Sequence, residues 1–96
     1  MERDDVLERL RADRLSLQAF KVQSLILFGS VARNQATPES DVDLLVEFAQ
    51  PIGLLTFVRL KRHLETILGC SVDLGTPNSL KPDLKEPVLQ ESIRVF

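Results

Sequence analysis

In the stretch Phe28–Phe48, FGSVARNQATPESDVDLLVEF, two aspartates, Asp41 and Asp43, stand at the head of an apolar run, and a Gly-Ser step, Gly29-Ser30, ends an earlier one. Side chains two apart on an extended strand leave the same face, about 6–7 Å apart along the chain. Carboxylates that close repel each other unless bulk water or a cation compensates them. A hard divalent ion such as Mg²⁺ takes oxygen ligands and commonly keeps room for phosphates. A third acid, Asp73, sits in the short apolar stretch Ser71-Val72-Asp73-Leu74 and reaches the same place if its strand pairs beside the second. Three carboxylates can hold two metal ions, which activate an attacking oxygen and stabilise a leaving pyrophosphate in an in-line displacement. Gly29 permits an unusual backbone angle or the close approach of a ligand, and Ser30 offers a hydroxyl beside the amides that open the next turn, so the pair can cradle a triphosphate. Arg33 either adds a cation on the phosphate side or pairs with a local acid. Taken singly, Gly-Ser is an ordinary turn and Asp-x-Asp an ordinary solvated strand edge. Their conjunction, in one order and at one close spacing, is far more specific.

The elements that must position these residues follow from periodicity. VQSLILF, rich in branched apolar residues and stopped by Gly29, predicts a buried strand; NQATPES, marked by Pro38, predicts a loop; DVDLLVEF predicts a second strand. Leu54, Phe57, Val58, Leu64 and Leu68 recur at helical spacing up to Gly69, placed to end a helix over 54–68. Upstream, Val6, Leu7, Leu10, Leu17 and Phe20 predict a helix across 4–20 with Asp4 or Asp5 as its cap. SVDLGTP predicts a third short strand, and LKEPVLQESIRVF a helical turn followed by an extended piece, Ile93 to Phe96. Phe20, Phe28, Phe48 and Phe57 read as core, while Phe96 either adds to the sheet or docks on a partner. His63 is expected on a solvated helix face with Arg59, Arg62 and Thr66, and Lys61 with Glu65 as a weak i,i+4 pair. The order implies a small mixed sheet with helices packed against it, an α/β (α+β) architecture.

Ninety-six residues make one domain, 1–96, since halves of that length fall near the ~40–50 residues below which chains rarely fold unaided. An apolar fraction of 44% and a net charge of −2 exclude disorder and give no basic excess for nonspecific binding along a duplex, so no direct nucleic-acid binding is expected. The acidic start, MERDDVLERL, lacks a signal-peptide layout and no apolar run is long enough to span a membrane, which predicts a cytoplasmic protein without membrane attachment. The single cysteine, Cys70, has no disulfide partner and no accompanying His/Cys cluster, and reads as a small core residue.

GSVARNQATPESDVDLLVEF closely resembles the signature of the nucleotidyltransferase superfamily related to DNA polymerase β: Gly-Ser, a variable stretch, then Asp-x-Asp. The short length and the wording VDLLVEF are most similar to the minimal nucleotidyltransferases, the MntA-type antitoxins encoded beside HEPN-domain toxins. The resemblance runs from about residue 24 onward and implies a polymerase β palm-like fold. It also implies that Gly29 and Ser30 bind nucleotide phosphates, with Arg33 and Ser40 among the nucleotide-binding residues. Asp41 and Asp43 would hold metal, and Asp73 would ligate it and help activate the acceptor hydroxyl. One departure is Asn34, where such proteins often carry glycine; Asn tolerates left-handed backbone angles better than most residues. The implied activity is Mg²⁺-dependent transfer of AMP from ATP to a protein hydroxyl, typically a toxin tyrosine, with pyrophosphate released.

The chain contains no tyrosine, so a tyrosine-directed activity must find its acceptor on another protein. A chain this short also has little left to close over a small acceptor, which predicts a half-open site completed by a partner in a hetero-oligomer. Two rival readings stand beside this one: a binding module that blocks its partner by stoichiometric contact, and a nucleotidyltransferase for a small hydroxyl compound such as an antibiotic.

Overall fold

The branched run folds as the strand β1, Val22–Phe28, and β2, Val42–Phe48, runs antiparallel beside it, with Leu27 opposite Leu44 and Phe28 opposite Asp43. The structure, a computed structural model, describes residues 2–37 and 39–96, so Pro38 of the predicted loop lies outside the described residues. β3, Val72–Gly75, pairs parallel with β2, and β4, Ile93–Arg94, pairs antiparallel with β1, giving the order β3-β2-β1-β4. A parallel pair needs a crossover, supplied here by the helix α4, Leu54–Leu68. Gly69 ends that helix in the left-handed conformation, φ 70°, as its position predicts.

Alternation along the strands divides the sheet into two faces. Leu25 and Leu27, Val42, Leu44 and Val46, and Val72 and Leu74 form the core face, packed with Val6, Leu10, Leu17, Leu60, Leu64 and Leu68 from the helices. Asp43 and Asp73 belong to the opposite face. Phe28, expected in the core, is on that face too, paired with Asp43 and only half-buried. Phe20, Phe48 and Phe57 do pack against the core.

The predicted helix over 4–20 is two helices, α1, Arg3–Ala12, and α2, Arg14–Ala19, separated at Asp13. Asp4 and Asp5 do not cap α1; they lie in its first turn, where negative charge favours the helix dipole. The break has a tertiary partner. Asp13 Oδ2 lies 2.6 Å from His63 Nε2, and the His63 ring sits 5.2 Å from that of Phe20. His63 is therefore not on a solvated face, because the α1–α2 corner covers that flank of α4. His63→Ala should lower stability by about 1 kcal/mol, measured by urea denaturation; an unchanged midpoint would show that the contact contributes nothing.

Two other expectations for α4 fail for related reasons. Leu54 is 79% and Val58 39% exposed, since at about 100° per residue both lie to one side of the buried stripe carried by Leu60, Leu64 and Leu68. Lys61 and Glu65 form no ion pair among the described residues; Glu65 Oε2 accepts the Val72 N–H at 3.1 Å, tying α4 to β3. Cys70 is half-buried against the core, and burial pushes its thiol up from the usual value. The C-terminal segment is a full helix, α5, Pro82–Glu91, ahead of β4. Beyond β4 the chain keeps pairing with β1, the Val95 N–H donating to Leu25 O at 2.8 Å and the Leu25 N–H to Phe96 O at 3.3 Å. Arg11 Nε donates to Val95 O at 2.9 Å and the Arg14 guanidinium lies 5.5 Å over the Phe96 ring, so Phe96 completes the sheet. Among the described residues no helix is long and apolar enough to cross a membrane.

Candidate active site

Register brings the acids together. Asp43 and Asp73 are direct neighbours on the parallel strands β2 and β3, on the same face, at an interstrand spacing of about 4.8 Å. Asp41 stands two residues before Asp43, and the ladder extends toward it through the Val42 N–H, which donates to Ser71 O at 3.0 Å. Like charges side by side in a sheet are unfavourable, and the site shows that tension. Burial first, then the charges of Asp73 and Asp41, push the Asp43 carboxyl above its usual value, while the Arg33 guanidinium pulls the other way.

Gly29 is held against these acids. Its φ is +76°, and a Cβ built on it would overlap Asp43 Oδ2. β1 therefore hands over to a short helix, α3, Gly29–Ala32, at the one point where only a glycine admits both the backbone angle and the carboxylate. Ser30 follows, half-buried, among the first-turn amides that a helix leaves without intrahelical acceptors. Asn34 adopts φ 58°, the left-handed angle its residue type tolerates, and Gln35 N–H closes the turn on Ser30 O at 2.8 Å. The Ser40 hydroxyl accepts the Thr37 N–H at 2.9 Å and so is engaged in its own loop, facing Thr37.

Arg33, left between two roles by its position in the sequence, pairs with an acid, though not a local one. Its Nη1 donates to Glu91 Oε2 at 3.0 Å and its Nε to Gln35 Oε1 at 3.2 Å. Sequence spacing carried no signal for Glu91, which arrives from α5, 58 residues away.

The ion pairs among the described residues, Arg3–Asp4, Arg33–Glu91 and His63–Asp13, include none of the three acids. As placed, no trio of His, Cys, Asp or Glu side chains among the described residues closes around a metal position. The donor chemistry nonetheless fits a hard divalent ion: all-oxygen, with two carboxylates side by side and a third two residues away. Mg²⁺ commonly needs only one or two protein carboxylates, its other positions going to water and phosphate.

A cavity of about 680 Å³ lies at the other end of β2, walled by Phe48, Pro51, Ile52, Leu54, Phe57 and Pro77 among others. Its walls are mostly apolar, although Glu47, Gln50, Thr76 and Asn78 also line it, and it holds none of the three acids.

Comparison with known proteins bears on the fold and the family. Residues 7–95 match the family model for the nucleotidyltransferase domain. The protein adenylyltransferase MntA of Thermococcus cleftensis is 41% identical over 78 residues, 81% of this chain and 79% of that protein. A solved structure provisionally described as a minimal nucleotidyltransferase superposes with a TM-score of 0.80 at 42% identity, covering 97% of this chain and 95% of that one. The fold is also shared, at a TM-score of 0.66 and 22% identity over 94% of this chain and 71% of the other, with a structure from the complex of a tri-AMPylated Shewanella oneidensis HEPN toxin and its MNT antitoxin.

Proposed function

Because the chain belongs to the nucleotidyltransferase domain family, we propose that it is a cytoplasmic protein adenylyltransferase that moves AMP from ATP to a hydroxyl, tyrosine foremost, of a HEPN-family toxin and so neutralises it. The observation that carries this reading is the in-register pairing of Asp43 with Asp73 against the Gly29 corner. Asp41, Asp43 and Asp73 would hold Mg²⁺, two ions in the full site, which when bound offset the carboxylate repulsion and stabilise charge on the phosphoryl oxygens.

The chain's own residues have separable parts. Gly29 and Ser30 seat the triphosphate at the opening of α3, and Arg33 lends a cation to it. The acceptor oxygen attacks the α-phosphorus, the bond from that phosphorus to the bridging oxygen breaks, and pyrophosphate leaves. Asp73, exposed on β3, takes the proton that the acceptor hydroxyl gives up. The absence of tyrosine from this chain keeps the enzyme from modifying its own tyrosines and sends the reaction to the partner.

The test is to incubate the protein with Mg²⁺, each nucleoside triphosphate in turn and the product of the adjacent gene, then weigh that product intact. Increments in steps of AMP on a HEPN-domain protein, where the adjacent gene encodes one, seen with ATP and absent for the Asp41→Asn/Asp43→Asn variant, are expected. Neutralisation that persists in the doubly substituted variant, with no mass increment in any mixture, would instead mean blockade by stoichiometric contact.

A further inference from the structure

Glu91 lies outside the Gly-Ser and Asp-x-Asp pattern, yet it holds Arg33, whose charge is felt at Asp43. A guanidinium has five N–H bonds in a rigid planar fork. Two of those of Arg33 are taken, one by Glu91 and one by Gln35, leaving three unengaged among the described residues. The two acceptors come from different elements, Glu91 from the last residue of α5 and Gln35 from the turn after α3, so the fork is gripped from two directions. A free arginine on a surface samples many rotamers, and fixing it on a phosphate costs conformational entropy; a fork already held loses less. Because the Arg33–Glu91 pair is about half exposed on both sides, it contributes little to folding stability. Its consequence should be found in ligand binding.

We infer that Glu91 is a positioning residue: by holding Arg33 through Nη1, with Gln35 on Nε, it presents the remaining N–H bonds of the guanidinium to the phosphate tail of the nucleotide. The inference rests on the nucleotide-binding reading of Arg33. The rival arrangement, in which Glu91 competes with phosphate for Arg33, predicts the opposite sign on removal of the carboxylate.

The test measures binding of the non-hydrolysable analogue AMP-PNP with Mg²⁺ to the full chain by calorimetry, with melting temperatures recorded in parallel. Glu91→Ala should weaken binding about 3–10-fold, the range for one charge-assisted contact acting through another group, with an almost unchanged melting temperature. Glu91→Gln, which keeps an acceptor oxygen, should recover most of the loss. In an Arg33→Ala background, Glu91→Ala should add nothing further. Unchanged or tighter binding in Glu91→Ala, or an equal loss in the Arg33→Ala background, would overturn the assignment. Wild-type binding by Arg33→Ala would overturn it together with the phosphate role of Arg33, even if AMP transfer is found by mass. Coupled losses without any AMP transfer would leave the Glu91 assignment standing and remove only the proposed reaction.

Discussion

Asp43→Asn is expected to lose AMP transfer by about 10³-fold or more, the effect of removing one ligand of a charge-stabilising centre, and yet to melt at a higher temperature than the parent protein in metal-free buffer. The two effects share one cause. Burial and the neighbouring Asp73 and Asp41 raise the Asp43 carboxyl from its ordinary 3.8. A carboxyl whose value is raised on folding is easier to bury when protonated, so the parent is at its most stable below the unfolded value and loses stability as pH rises through the folded one. Asparagine removes the charge, and with it both the repulsion and that part of the pH dependence. Melting curves in chelator across pH 3 to 8 should therefore show the parent falling relative to the variant as the carboxyl ionises. Adding Mg²⁺ should raise the melting temperature of the parent more than that of the variant, because a ligand stabilises only the state that binds it. A variant less stable than the parent at neutral pH without metal would mean that Asp43 is compensated within the fold, contrary to the missing ion pair.

The second large effect concerns Gly29. Replacing it by alanine imposes a left-handed angle on a residue with a Cβ, at about 1–2 kcal/mol, and drives that Cβ into Asp43 Oδ2, where overpacking costs about 1–3 kcal/mol more. The sum, about 2–5 kcal/mol, is a large part of the ~5–15 kcal/mol that holds a domain folded. Gly69→Ala is the built-in control. Its φ of +70° brings the same backbone cost, but nothing lies within 4 Å of the added carbon. Urea denaturation of both variants separates the terms: Gly69→Ala should lose about 1–2 kcal/mol, and the excess in Gly29→Ala is the crowding against the acid. Equal losses would show that Asp43 swings aside freely. Gly29→Ala should also lose nucleotide binding in whatever fraction remains folded, since relieving the overlap moves a carboxylate of the site.

The site was more legible in the sequence than the scaffold around it, for a physical reason. Asp43 falls on the face away from the core because strand alternation is local, with Asp41 near enough to act on it, and Gly29 had to be glycine because the constraint is steric and immediate. Pairing Asp73 with Asp43 needed only one inference beyond that, the adjacency of two short apolar strands. The end of α4 at Gly69 was likewise written into a local backbone preference. What escaped were contacts made across the fold. The break at Asp13 and the partial covering of His63 depend on each other over 50 residues, and Arg33 with Glu91 over 58. Neither member of either pair carries a pattern of its own. Leu54 misled for a related reason: several apolar residues fit helical spacing, but which of them faces the sheet is fixed only by packing.

The acids of the parallel pair are separated in sequence by a helix, so the length of α4 acts as a ruler for the chemistry. Inserting or deleting one residue within Leu54–Leu68 would turn everything downstream by about 100° and tend to slip β3 by one position, sending Asp73 to the core side of the sheet. Length variation among relatives should therefore gather in the loop between Asn34 and Ser40 and be purged from the crossover, whose residue count sets the phase of the site as surely as the identity of its acids.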